Sequence, residues 1–128
     1  MRKVLLVEDS EQFRIETVEA LNDGGSFEIT EAADGDEGLD FLLNNQYDLV
    51  ILDYHLPKMT GIDILRKLKS MGKDTNCPVI MLTSEVEERG SEIKDLNVIS
   101  WVIKPLNRAR FSDLVDQVID YYLSKKSS

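Results

Sequence analysis

The stretch Leu49-Val50-Ile51-Leu52-Asp53 decides the fold. Four apolar residues in succession, two of them β-branched, end on a carboxylate. Tyr54-His55-Leu56-Pro57 and then Gly61 break the pattern. Such a run is long enough for a strand buried on both faces and too short for a helix of its own. A carboxylate at the carboxyl end of a buried strand lies where ligands bind in open α/β sheets. Asp53 is therefore the candidate site, although an Asp after a strand more often just opens a turn. An acid pair and a lysine elsewhere in the chain decide between these readings.

Upstream, Val4-Leu5-Leu6-Val7 is a second short apolar run, closed by Glu8-Asp9-Ser10. Phe13, Thr17, Ala20 and Leu21 then share one helical face, with Asp9 or Ser10 as the N-cap and Asn22-Asp23-Gly24-Gly25 as the stop. Phe27 to Ala32 alternates and predicts a half-exposed, edge-like strand. Asp34-Gly35-Asp36 reads as a turn, and a helix through Leu39, Leu42 and Leu43 ends at Asn44-Asn45.

Downstream, Ile62 to Leu68 has helical spacing and stops near Met71-Gly72. Pro78-Val79-Ile80-Met81-Leu82-Thr83 predicts another buried strand, with proline at its first position, where it is tolerated. The segment Glu85 to Leu96 predicts a helix with few apolar residues, and so the most loosely packed one. Trp101-Val102-Ile103 predicts the last strand, ending on Lys104-Pro105. Phe111, Leu114, Val115, Val118, Ile119 and Tyr122 form an i, i+3, i+4 stripe on the final helix, with Lys125 and Lys126 near its C-terminus. Strand and helix alternate five times, which predicts an α/β domain with a parallel sheet covered on both faces.

The chain of 128 residues suits one domain, residues 1–128, with 42% hydrophobic and 30% charged residues. A net charge of −9 disfavours bare nucleic acid and anionic membranes and suits a bound cation. The single Cys77 excludes an internal disulfide and reads as a small apolar filler. Neither a leader nor a long apolar stretch is present, so the expected location is the cytoplasm.

In a parallel sheet the strand ends point one way, so Glu8, Asp9, Asp53, Thr83 and Lys104 converge on one edge. Three carboxylates repel one another unless protonated or bound to a cation. Oxygen-only ligands favour a hard ion, Mg²⁺ before Ca²⁺. A metal, a lysine and a hydroxyl around one carboxylate suit phosphoryl transfer to that carboxylate. Asp53 would be the nucleophile, giving an aspartyl phosphate, with Thr83 donating to a phosphoryl oxygen.

These fragments together resemble the receiver domain of two-component response regulators, over essentially the whole chain. Val4 to Asp9 is similar to that family's apolar strand closed by an acidic pair. Asp53-Tyr54-His55-Leu56-Pro57-Lys58-Met59-Thr60-Gly61 is similar to its phosphoacceptor loop. Thr83-Ser84 and Trp101-Val102-Ile103-Lys104-Pro105 match its hydroxyl and lysine motifs. The resemblance implies a flavodoxin-like (βα)5 doubly wound fold with sheet order 2-1-3-4-5. It implies phosphorylation of Asp53 by a histidine kinase or histidine phosphotransfer protein. It implies Mg²⁺ held by Glu8, Asp9, Asp53 and the backbone carbonyl of His55. Lys104 would contact the phosphoryl group next to a cis Lys104-Pro105 bond. Thr83 and Trp101 would be the switch pair, and His55 and Glu85 would tune the phosphoryl lifetime. Trp101 stands where Tyr or Phe is usual, Thr60 where Asp or Asn is usual, and Asn97 where Gly often ends the fourth helix.

With no output domain expected, the output would be a protein target on the face of the fourth helix, fifth strand and fifth helix around Trp101. The chain would not be an enzyme beyond hydrolysing its own aspartyl phosphate. An aspartyl-phosphate phosphohydrolase is the alternative; such enzymes usually carry a second Asp two residues after the nucleophile, and His55 stands there. A flavin or nucleotide carrier would need a glycine-rich loop where Glu8-Asp9-Ser10-Glu11 stands. A non-phosphorylated pseudo-receiver scaffold would not need the complete acid, hydroxyl and lysine set.

Overall fold

The computed structural model describes residues 1–84 and 95–127. Its strands are β1 (Arg2–Val7), β2 (Phe27–Ala32), β3 (Leu49–Asp53), β4 (Val79–Thr83) and β5 (Val98–Ile103). Its helices are α1 (Glu11–Gly24), α2 (Gly35–Asn44), α3 (Gly61–Ser70) and α4 (Arg108–Ser127). All neighbouring strands run parallel, in the order β2-β1-β3-β4-β5. This is the five-stranded order expected of the flavodoxin-like fold. The helix expected over Glu85 to Leu96 falls largely on residues 85–94, outside the described residues, so four of the five expected helices are described.

Every residue of β3 and β4 is buried, as their continuous apolar runs require for central strands covered on both sides. Side chains alternate between faces. Leu5, Val7, Val50, Leu52, Val79 and Met81 meet α2 and α3 through Leu39, Leu42, Ile64, Leu65 and Leu68. Val4, Leu6, Leu49, Ile51, Ile80 and Leu82 meet α1 and α4 through Phe13, Ala20, Leu21, Phe111, Val115, Val118 and Ile119. The half-exposed β2 lies at the sheet edge, as its alternation predicts.

Several local expectations shift. Asp34-Gly35-Asp36 is not a free turn: Asp34 caps α2 by accepting the Glu37 amide, and the helix begins at Gly35. Ser10, rather than Asp9, caps α1 by accepting the Phe13 amide. Strand β5 starts at Val98, earlier than its apolar trio suggested, because pairing with β4 continues through a bulge at Val79/Ile80. Asn97 takes the left-handed conformation at φ 61, as an Asn in place of Gly can. Its side chain donates to Asp74 at 2.8 Å and its carbonyl accepts the Val79 amide at 2.9 Å.

Helices α1 and α4 approach closely at Gly24, where a Cβ would lie 1.8 Å from the Ser112 hydroxyl oxygen. Arg108 fastens the same junction by donating to both carboxylate oxygens of Asp23, at 2.8 and 3.0 Å. On the other face Arg66 and Lys69 of α3 both reach Asp95 at 3.0 Å. Among the described residues no helix is long and apolar enough to cross a membrane.

Candidate functional site

Four strand ends build the site. β1 runs out at Val7 and delivers Glu8 and Asp9; β3 ends on Asp53; β4 ends on Thr83; Lys104 follows β5. The parallel register carries all of them to the same edge, with Val7 beside Leu52 and Asp53 beside Leu82. The Lys104 amide donates to the Thr83 carbonyl at 2.8 Å, tying the lysine's backbone to the end of β4. The peptide bond between Lys104 and Pro105 is cis, as the resemblance implied.

Glu8 is fully buried, Asp53 is 2% exposed and Thr83 is 1% exposed, whereas Asp9 is open to solvent. Lys104 Nζ lies 2.5 Å from Glu8 Oε1 and 3.3 Å from Asp53 Oδ2. The other Glu8 oxygen accepts the Ser10 amide at 3.2 Å. The other Asp53 oxygen accepts the His55 amide at 3.2 Å. Each buried carboxylate thus has a donor at both oxygens, which is what burial of a charge requires.

Oxygen atoms of Glu8, Asp9 and Asp53 come within 4.8 Å of one another. Three carboxylates facing one ammonium leave excess negative charge. The donor set is all oxygen, so a hard divalent cation fits it and could be held there. The Asp9 carboxyl is pushed above its ordinary value by partial burial, then by the hydrogen bond and charge of Glu8, against weaker opposition from Lys104. Burial alone would lower the Lys104 ammonium, but the hydrogen bond it donates to Glu8 and the charges of Asp53 and Glu8 raise it overall.

The loop after Asp53 is held by backbone bonds. The Tyr54 amide donates to Leu82 and its carbonyl accepts the Gly61 amide, at 2.8 and 2.9 Å. Gly61 is a close-approach position: a Cβ there would sit 2.8 Å from the Asp53 carbonyl oxygen. Thr60, standing where Asp or Asn is usual, starts α3 with a capping box, accepting the Asp63 amide while Asp63 accepts its own. His55 projects an exposed ring at the rim, and Tyr54 lies edge-on to it with centroids 4.8 Å apart.

Glu8, Asp9, Asp53, Thr83 and Lys104 come together as expected; Glu85 lies outside the described residues. Trp101 is half-buried, three residues before Lys104 on β5, its ring 5.7 Å from that of Tyr54. Two contributors were not singled out from the residues. Arg14 donates to the Glu8 carbonyl at 2.7 Å, and the Phe13 ring lies under the Lys104 ammonium, 4.4 Å from Nζ to centroid. Both occupy the first turn after the acidic pair, the one signal that could have pointed to them.

Known proteins match this arrangement. A family profile described as the response regulator receiver domain matches residues 4–116. The transcriptional regulatory protein DltR of Streptococcus agalactiae is 35% identical over 79% of the chain, which spans 45% of that protein's length. The chemotaxis protein CheY-3 of Vibrio cholerae is 29% identical over 92% of each chain. The structure of the response regulator TrrA of Thermotoga maritima, solved with Mg²⁺ and BeF, superposes with a TM-score of 0.77. That likeness covers 92% of this chain and 99% of that one, at 26% identity.

Proposed function

The chain belongs to the response regulator receiver domain family of two-component systems, and from that premise we propose that it accepts a phosphoryl group on Asp53 and changes its protein contacts when it does. One observation carries the reading: a buried Asp53 at a strand end, with Lys104 bridging it to Glu8.

Mg²⁺ is the ion we assign, with Glu8, Asp9, Asp53 and the His55 carbonyl as the residues that would hold it. When bound it would supply positive charge opposite the phosphoryl oxygens. The chain's own residues do the rest. An Asp53 carboxylate oxygen attacks the phosphorus of a phosphohistidine donor. The O–P bond forms as the N–P bond breaks, and the imidazole nitrogen leaves with the electron pair. The His55 amide and Lys104 keep Asp53 oriented for attack. Lys104 then neutralises a phosphoryl oxygen. The Thr83 hydroxyl donates to another, and the movement of Thr83 toward the phosphoryl group lets the Trp101 ring turn inward. Phosphorylation adds roughly −1.5 to −2 charges, and the arrangement that binds them better gains population.

The donor is a histidine kinase or phosphotransfer protein. The output is a protein target on the face that includes β5 and α4 around Trp101. The protein is cytoplasmic and has no turnover beyond loss of its own phosphoryl group, at a rate set by His55 and Glu85. Equal dephosphorylation rates in wild type, His55→Ala and Glu85→Ala would remove that last assignment.

The test is intact mass after incubation with acetyl phosphate, with and without Mg²⁺, on wild type and Asp53→Asn. The expected result is a Mg²⁺-dependent gain of one phosphoryl group in wild type alone. No gain with acetyl phosphate or with a phosphohistidine protein would leave a pseudo-receiver scaffold. Sustained consumption of donor with little protein labelled would point to a phosphohydrolase.

A further inference from the structure

We propose that Phe13 is a positioning residue for Lys104, its ring face holding the ammonium over the site without itself offering a competing anion. This rests on the phosphoryl-accepting reading above. Lys104 Nζ stands 4.4 Å from the ring centroid while it also reaches Glu8 Oε1 and Asp53 Oδ2. An ammonium has three N–H donors, and two are engaged by these carboxylates. The ring attracts the same charge through its quadrupole. It cannot accept a strong hydrogen bond, so it does not compete with an incoming phosphoryl oxygen.

Phe13 is itself fixed. The residue is 9% exposed, its amide donates to the Ser10 hydroxyl at 3.2 Å, and its carbonyl accepts the Thr17 hydroxyl at 2.8 Å. The first turn of α1 therefore ties the ring to the backbone that carries Glu8 and Asp9. When Asp53 becomes an acyl phosphate, Lys104 must exchange its Asp53 contact for a phosphoryl oxygen. Its long side chain pivots with the ring under it. An aliphatic residue would fill the space without attracting the charge, and Glu8 would then hold the lysine unopposed.

Two variants and one cycle test this. Phe13→Leu keeps an apolar side chain and loses the ring face; Phe13→Tyr keeps the ring. With acetyl phosphate and saturating Mg²⁺, we expect Phe13→Leu to be phosphorylated about three- to tenfold more slowly than wild type, in keeping with the strength of a partly desolvated cation–π contact. Phe13→Tyr should be restored to within about twofold of wild type on the same basis. Equal rates for wild type and Phe13→Leu would overturn the proposal. So would equal slowing of Phe13→Leu and Phe13→Tyr. The cycle uses urea midpoints without donor or metal, for Phe13→Leu in wild type and in Lys104→Gln. A ring that acts through the lysine's charge costs more in wild type. A ring that only packs costs the same in both, which would also overturn the proposal. Wild type that gains no mass would remove the phosphoryl-accepting reading and the ring's role in transfer with it, while the cycle still decides whether ring and lysine are coupled.

Discussion

Glu8 and Asp9 are adjacent in sequence and opposite in environment, the first fully buried on Lys104 and the second exposed. The raised Asp9 value means that the folded protein holds that proton more tightly than the unfolded chain does. Asp9 therefore favours the fold at low pH and costs stability once the pH exceeds its raised value. Asp9→Asn should raise the thermal midpoint of the metal-free protein near neutral pH by a few degrees at most, since solvent screens an exposed group. The gain should vanish in the acid range. An unchanged midpoint at neutral pH would show that no repulsion is relieved. The raised Lys104 value acts differently: its ion-pair contribution is complete below the ordinary lysine value and is lost only as the pH rises through the raised one. Lys104 should therefore add no pH dependence near neutrality. Burial pushes the Cys77 thiol up to about 12, so a thiol reagent at mildly alkaline pH should label it only in denaturant. Rapid labelling of the native protein would contradict its buried position. At this scale the residues that end apolar runs were readable from sequence: Glu8, Asp9, Asp53, Thr83 and Lys104. Which carboxylate grips the lysine was not, because that contact joins residues 96 positions apart and depends on side-chain reach.

Helix caps and strand interiors carry the next level. Continuous apolar runs announced β1, β3 and β4 because central strands have no polar face to disguise them. The end of α1 was clear from its glycines, and the end of α2 from its paired asparagines. The start of α2 was hidden because Asp34-Gly35-Asp36 has turn composition and the capping role of Asp34 shows only in its bond to Glu37. The start of β5 was hidden because Val98 and Ser100 pair with β4 on either side of a bulge at Ile99, and a bulge breaks the period that would reveal it. Thr60→Ala removes one arm of the α3 capping box and should cost about 1 kcal/mol in denaturant unfolding. Ile51→Ala empties space inside a fully buried central strand and should cost about 2–5 kcal/mol. If Ile51→Ala costs no more than Thr60→Ala, β3 is not the packed centre of the sheet.

The whole molecule carries a net charge of −9, and among the described residues Glu8, Asp9 and Asp53 are drawn to one sheet edge beside Lys104. General self-repulsion and the local cluster both oppose the folded state, but salt separates them. Monovalent ions screen exposed charges over roughly 10 Å at 0.1 M and reach a buried pair much less. A divalent cation held by Glu8, Asp9 and Asp53 stabilises through binding, by about 2.7 kcal/mol at a hundred times its dissociation constant. The thermal midpoint should therefore rise further with MgCl₂ than with NaCl at equal ionic strength. That excess should shrink sharply in Asp53→Asn, while the NaCl response stays as in wild type. The excess should also fade as the pH drops toward the Asp9 value, because proton and metal compete for the same oxygens. An equal MgCl₂ excess in wild type and Asp53→Asn would place the cation's effect elsewhere on the acidic surface. The strand-end convergence would then be an electrostatic burden on the fold with no ion of its own.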